Sequence, residues 1–354
     1  MQLNSCYLDE LKALVQKYGH KSFRGNQLYT FFHSSKRTDI ENSNIPKDLT
    51  EELIKNEKIA HVEILKDYSS KIDETKKLLY VLDDENIIEG SLMKYKYGNS
   101  LCISTQVGCR MGCVFCASTK AGLVRNLTAA EMLSQIYTTE NKYSIKVSNV
   151  ILMGSGEPLD NYENVVRFLK IIHSGEGKNL SYRNITLSTC GVAENIYKFA
   201  DEKIPVTLAL SLHNTDNESR SELMPINRKY SIEETLTACK YYTEKTNTRL
   251  TVEYTLIKGV NDFEKNLQDL KRLLKGINSH VNLIPLNPIE EYVKARPKNN
   301  EIEHFRKKLE DIGLNVTIRR ELGADIDASC GQLRRSFKEG NSDKIHSTNQ
   351  QGIS

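Results

Sequence analysis

The sequence predicts an α/β protein: an incomplete parallel barrel of six strand–helix units behind a small helical domain and a short linking sheet. Three observations predict it. From Leu101 onward, strand-length runs rich in Val, Ile, Leu and Thr alternate with amphipathic, helix-length segments. Those runs are almost continuously apolar, as strands covered by helices are. Upstream, residues 1–60 carry helical spacing, and residues 61–94 switch to short alternating stretches. Rhythm alone leaves a flat doubly wound sheet as the alternative.

At the start of the chain, Leu8, Leu11, Leu14 and Val15 share one helical face. FRGNQLYTFFHSS (23–35) reads as a second helix, and IPKDLTEELIKN (45–56) as a third that begins near a Pro. KLLYVLDD and NIIEGSLMKY read as strands of the linking sheet. The barrel strands fall at 101–106, 149–154, 184–189, 205–212, 249–257 and 281–286. Helices are expected at 127–140, 162–173, 193–202, 231–245, 262–274 and 300–312. The core therefore spans 95–335, and the polar stretch 336–354 is expected to be a disordered tail.

Hydrophobic residues make up 39% of the 354 and charged residues 27%, an ordinary soluble balance. No apolar run is long enough to span a membrane. The first residues mix acids and bases without the apolar core of a signal peptide, so a cytoplasmic protein is expected. A net charge of +3 permits a nucleic-acid partner without pointing to one. Of eight cysteines, three fall within residues 109–116, which reads as metal binding before it reads as a disulfide scaffold.

Those three, Cys109, Cys113 and Cys116, follow the first barrel strand with Cys-x3-Cys-x2-Cys spacing. Three thiolates on a tight loop suit three irons of a 4Fe–4S cluster and leave the fourth iron open. The amino and carboxylate groups of S-adenosylmethionine (SAM) could chelate that iron, and an electron from the cluster would release a 5′-deoxyadenosyl radical. Structural zinc would want a fourth ligand nearby, and none is present. Active sites of parallel βα folds lie at the C-terminal strand ends. There stand MGSGEP with Glu157 and Pro158, then Ser188, then Ser211-Leu212-His213, then Asn287. Together they read as a ring of SAM contacts, with the glycines admitting a close ligand; singly, each would pass as a cap or turn residue.

The motifs GNSLCISTQVGCRMGCVFCAS, MGSGEPLDNYENV, LMPINRKYSI, YTLIKGVND, VNLIPLNPI and TIRRELGADIDASCGQL resemble the RlmN family of radical SAM RNA adenine methyltransferases. The resemblance runs from FRGNQLY to Arg335. The related Cfr family, which methylates carbon 8 of the same adenosine, shares much of this pattern, but VNLIPLNPIEEYVKARP is closer to RlmN. The resemblance implies a radical SAM barrel with one 4Fe–4S cluster, two SAM per turnover and carbon-2 methylation of an adenosine. The implied targets are adenosine 2503 of 23S rRNA and adenosine 37 of some tRNAs.

It also implies three catalytic roles. Cys330 carries the methyl group as S-methylcysteine, Cys102 resolves the intermediate as a disulfide, and Glu89 accepts the ring proton. In that route one SAM methylates Cys330. The radical from a second SAM removes a hydrogen from the S-methyl group, and the carbon radical adds to adenine. Glu89 then takes the proton while Cys102 attacks the sulfur of Cys330. On residues alone, Cys102 also reads as a small core residue and Glu89 as a surface acid. Cys190 stands where the family usually has serine; Cys6 and Cys239 have no expected role.

RNA contacts are expected from Lys17, Lys21 and Arg24 and from Arg319, Arg320, Arg334 and Arg335, although such charge runs also occur on plain solvated faces. An electron donor such as flavodoxin or ferredoxin and a monomeric state complete the expectation. The competing readings are a Cfr-type carbon-8 methyltransferase, a glycyl-radical activating enzyme, and a non-catalytic RNA-binding protein with zinc.

Overall fold

The computed structural model describes residues 2–287, 289, 291–292, 294–333 and 336–337. Helices α1 (Leu8–Lys17), α2 (Phe23–His33) and α3 (Lys47–Asn56) form the N-terminal unit. Each turns its apolar stripe inward, burying Leu11, Val15, Leu28, Phe32, Leu49 and Leu53.

Strands β1 (Val62–Ser69), β2 (Lys76–Leu82), β3 (Asn86–Tyr95) and β4 (Gly98–Cys102) follow as an antiparallel meander. They are not a separate sheet, as the sequence suggests. The free edge of β4 pairs in parallel with β7 (Val147–Leu152), so linking strands and barrel share one hydrogen-bonded sheet. Between β4 and β7 the chain leaves the sheet for a small hairpin, β5 (Gln106–Gly108) with β6 (Leu123–Asn126), which clamps the cysteine loop at its base. α4 (Ala129–Tyr143) then leads into β7, its start fixed by Thr128, whose hydroxyl accepts the Glu131 N–H.

Strand–helix alternation continues through α5 (Tyr162–His173), β8 (Ile185–Thr189), α6 (Ala193–Asp201), β9 (Thr207–Ser211), α7 (Asn217–Leu223) and α8 (Ile232–Thr246). It closes with β10 (Leu250–Leu256), α9 (Glu264–Leu273), β11 (Ser279–Pro285), α10 (Asn299–Asp311) and β12 (Val316–Ile318). β4 and β7 through β12 are mutually parallel. β12 is a strand beyond the six expected, and α7 a helix beyond them; both are too short to show a period.

The first barrel strand ends at Cys102, not at residue 106. From Ile103 the backbone turns to meet the loop after β7, with Gly154 N–H donating to the Ile103 carbonyl and Thr105 N–H to that of Ser155. After β12 the chain doubles back, and β13 (Ser336–Phe337) pairs antiparallel with β3 at Ile87 and Asn86. That pairing falls within the first residues of the expected tail, whose remainder, 338–354, lies outside the described residues. No helix among the described residues is long and apolar enough to cross a membrane.

Candidate active site

The C-terminal ends of the parallel strands surround a cleft of about 910 Å3, partly open to solvent. Leu152 of β7, Ser188 of β8, Ser211 of β9, Glu253 of β10 and Ile284 of β11 all line it, so the sheet curls around the cleft. Cys109, Cys113 and Cys116 line it from the β5–β6 excursion. Their loop is held by backbone bonds: Cys109 N–H to the Gly122 carbonyl (3.1 Å), Val114 N–H to that of Leu223 (3.0 Å) and Cys116 N–H to that of Cys113 (3.1 Å). Burial pushes all three thiols up, Cys109 to about 12.

Among the described residues, no three His, Cys, Asp or Glu side chains are arranged to chelate a single metal ion. The fit to a 4Fe–4S cluster therefore rests on the donor set. Three unpaired thiols on one loop face a shared cleft, and soft sulfur ligands are what iron–sulfur clusters take.

The cysteine loop is tied to the loop after β7. Asp160 accepts from Gln106 Nε2 and from Arg110 Nε, each at 3.0 Å. Gly154 and Gly156 line the cleft, but the neighbours they admit are the chain's own. A Cβ on Gly154 would lie 2.6 Å from the Ile103 carbonyl, and one on Gly156 (φ +110°) 2.6 Å from the Gln106 Cβ. The glycines let this loop pack on the root of the cysteine loop.

Glu157 follows, buried, with one carboxylate oxygen accepting from Leu159 N–H (3.1 Å) and the other from Cys190 N–H (2.8 Å). Burial raises its pKa against those bonds. Pro158 begins the turn behind it and also lines the cleft. His213 sits at a left-handed φ of +56°. Its Nδ1 accepts the Thr255 N–H at 2.9 Å, which leaves the ring proton on Nε2. Burial holds its pKa down at about 3, so the ring is neutral.

Leu212 does not line the cleft. It is fully buried, and its carbonyl accepts from Arg220 Nε. Arg220 itself is fully buried without a carboxylate partner among the described residues. Its guanidinium also donates to Asn227 Oδ1 and to the carbonyls of Cys190 and Ser211, pinning two strand ends.

Cys330 stands on the returning segment after β12. Asn287 Nδ2 donates to its carbonyl (2.9 Å), Ala117 N–H to that of Gly331 (2.8 Å) and Ser118 Oγ to that of Leu333 (2.6 Å). The segment is thus stitched to the end of β11 and to the turn just beyond Cys116. Cys330 also lines a second chamber of about 550 Å3, whose wall includes Cys102, Ser91, Tyr95, Arg319 and Arg320. Cys102 is buried, and its pKa is pushed up to about 12 by burial and by the neighbouring Cys330.

Glu89 lines neither chamber. It is buried on β3, with Lys77 Nζ 3.1 Å from its carboxylate, and is not a surface acid. It lies two residues before Ser91, the register partner of Cys102. Arg319, expected to face RNA, turns inward to line both chambers with a guanidinium nitrogen 3.6 Å from Glu253. Lys17, Lys21 and Arg320 are exposed and Arg24 partly so, while Arg334 and Arg335 lie outside the described residues. Glu253 is a cleft residue that sequence reasoning missed. Its signal was a lone acid inside the apolar strand RLTVEYTLI.

Comparison with known proteins agrees with this geometry. The Radical SAM superfamily matches residues 103–271. A protein of Clostridium botulinum (strain Eklund 17B / Type B), named "Probable dual-specificity RNA methyltransferase RlmN", is 50% identical over 330 residues, 93% of this chain and 95% of its own. One of the same name from Clostridioides difficile (strain 630) is 49% identical, over 93% of this chain and 96% of its own. The crystal structure of a radical SAM methyltransferase from Sphaerobacter thermophilus superposes with a TM-score of 0.89 at 38% identity, covering 94% of this chain and 99% of that one. Near full-length identity at this level, on a fold that surrounds a three-cysteine cleft, makes the chain a member of the RlmN family of radical SAM methyltransferases.

Proposed function

We propose that the protein methylates carbon 2 of adenosine in RNA, at adenosine 2503 of 23S rRNA and adenosine 37 of some tRNAs, with Cys330 as the methyl carrier. The observation that carries this reading is the position of Cys330. It borders both the cleft of Cys109, Cys113 and Cys116 and the chamber of Cys102.

Cys109, Cys113 and Cys116 would hold a 4Fe–4S cluster. Glu157, Pro158, Ser188, Ser211, His213 and Asn287, with the backbone of Leu212, would hold SAM. Bound there, cluster and SAM supply one-electron cleavage of the sulfonium, the source of the radical that activates a methyl group. The one-electron reductant is of the flavodoxin or ferredoxin class. Glu157 would accept a hydrogen bond from the SAM ammonium, and the Nε2–H of His213 offers a neutral donor in the same cleft.

The Cys330 thiolate takes a methyl group by substitution at the SAM sulfonium, releasing S-adenosylhomocysteine. Its loop, fixed by Asn287 and Ala117, holds the resulting thioether between the two chambers. Once the carbon bond to adenine has formed, the ring proton goes to a general base, the role proposed for Glu89, which lies buried against Lys77 outside both chambers and would have to turn toward them to act. The Cys102 thiolate then attacks the Cys330 sulfur. The odd electron left by radical addition would return to the redox group of the cleft. The sulfur–carbon bond breaks with its electron pair on the methylene carbon, which takes a proton to become the methyl group, while the two sulfurs form a disulfide. The methylated base leaves, and two electrons from a thiol reductant reset the pair.

The test uses anaerobically reconstituted protein, reductant, SAM and unmodified 23S rRNA, with nucleosides identified by mass spectrometry. Wild type is expected to yield 2-methyladenosine and Cys330→Ala none. An 8-methyl product would move the activity to the Cfr type. SAM cleavage without methylated RNA would overturn the substrate.

A further inference from the structure

The turn joining β3 to β4 carries Lys94-Tyr95-Lys96-Tyr97, which the catalytic set leaves unused. Tyr97 is 68% exposed, and its ring stacks on that of Tyr95 with centroids 4.9 Å apart and planes 8° from parallel. Tyr95 is half-buried and lines the chamber of Cys102 and Cys330. The stack therefore runs from solvent to the rim of the chamber where the resolving thiol lies. Lys96 is exposed and forms no ion pair among the described residues, and exposed Arg320 lines the same chamber.

A flat aromatic face left in water, pre-ordered by a second ring and flanked by exposed cations, has the chemistry of a single-stranded nucleic-acid site. Bases stack on the ring whatever their identity, and Lys or Arg neutralises the phosphates. Strand geometry says which nucleotide it takes. Ser91, Met93 and Tyr95 alternate onto the chamber face of β3, and Ser91 pairs with Cys102. Four residues at roughly 3.3 Å each put Tyr95 about 13 Å along the strand from the Cys102 level. That is too far to hold the reacting base and suits a flanking one.

We propose that the Tyr95–Tyr97 stack is a base-stacking platform for single-stranded RNA, taking a nucleotide beside the target adenosine, with Lys96 and Arg320 on its phosphates. This rests on the RNA substrate proposed above.

The chain contains no Trp, so Tyr97→Trp installs a sole tryptophan at the platform, excited selectively on the red edge where tyrosine does not absorb. In reconstituted enzyme, an unmodified transcript of the 23S rRNA target region should quench that fluorescence saturably. Tyr97→Ala should raise KM for the transcript roughly 5- to 150-fold, with kcat and melting temperature at wild-type values. Tyr97→Phe should keep the wild-type KM, and Lys96→Ala should flatten the salt dependence of binding by about one charge. An unchanged KM in Tyr97→Ala, fluorescence unmoved by saturating RNA, or a fall in melting temperature that accounts for the loss would each overturn the platform. If wild type leaves the transcript unmethylated while the quench persists, the target assignment fails and the platform stands.

Discussion

Two buried histidines make stability depend on pH in a calculable direction. Burial holds His33 and His213 down at about 3, against about 6.5 in an unfolded chain. As pH falls, the unfolded chain takes up these protons first. The stability they carry is therefore complete above about pH 6.5 and drains away between there and about pH 3. At pH 5 each costs about 2 kcal/mol. His33 lies outside the cleft, with Nδ1 3.3 Å from Tyr137 Oη and Nε2 without a hydrogen-bond partner among the described residues, so it can be removed without touching the site. His33→Leu should make the loss of unfolding free energy from pH 7 to pH 5 smaller by about 2 kcal/mol, whatever its effect at pH 7. Parallel wild-type and variant curves in urea would refute this. His213 was legible from its strand-end position. The burial of Glu89 was not, because IIEG offers no period that separates an inward acid from an outward one.

At the scale of elements, the site depends on loops that must touch. Gly156 occupies a conformation that L side chains rarely adopt, and a Cβ there would meet the Gln106 side chain at 2.6 Å and its backbone nitrogen at 2.8 Å. Gln106 in turn holds the next residue, its Oε1 accepting the Glu157 N–H at 2.9 Å. Gly156→Ala should therefore displace Glu157 and weaken SAM binding. Backbone strain of about 1–3 kcal/mol corresponds to roughly a 5- to 150-fold rise in Kd, read by equilibrium dialysis. A Kd within twofold of wild type would mean that the loop relaxes without moving the carboxylate. Long elements were legible because burial imposes a period on them; α5, at Tyr162–His173, has the bounds its sequence pattern predicts. The three-residue β12 and the polar α7, NESRSEL, are too short to show one. Yet α7 supplies the Arg220 that pins the ends of β8 and β9, and its Leu223 carbonyl braces the cysteine loop.

For the whole molecule, the consequence is a division of its thiols. Chain segments more than two hundred residues apart meet at Cys330, and no local pattern could announce that the tail returns to pair with β3. The cysteine loop was legible from spacing alone; its contact with the returning segment was not. The folded chain leaves Cys116 and Cys330 partly exposed and buries the other six cysteines. Among those six, Cys6, Cys102 and Cys239 are pushed up to about 12, so they remain protonated at pH 8. Only a thiolate attacks an alkylating reagent. In cluster-free protein, a brief pulse of iodoacetamide at pH 8 should therefore label Cys330 first and the partly exposed Cys116, whose thiol burial pushes up, more slowly, with Cys6, Cys102 and Cys239 following only as the fold opens. Loading the cluster should protect Cys116, if it takes the iron-ligand role proposed for it, and leave Cys330 reactive. Peptide mass spectrometry reads both states directly. Cys102 labelling as fast as Cys330 in either state would mean that the second chamber is open to solvent, and that Cys102 is not kept apart from Cys330 by burial.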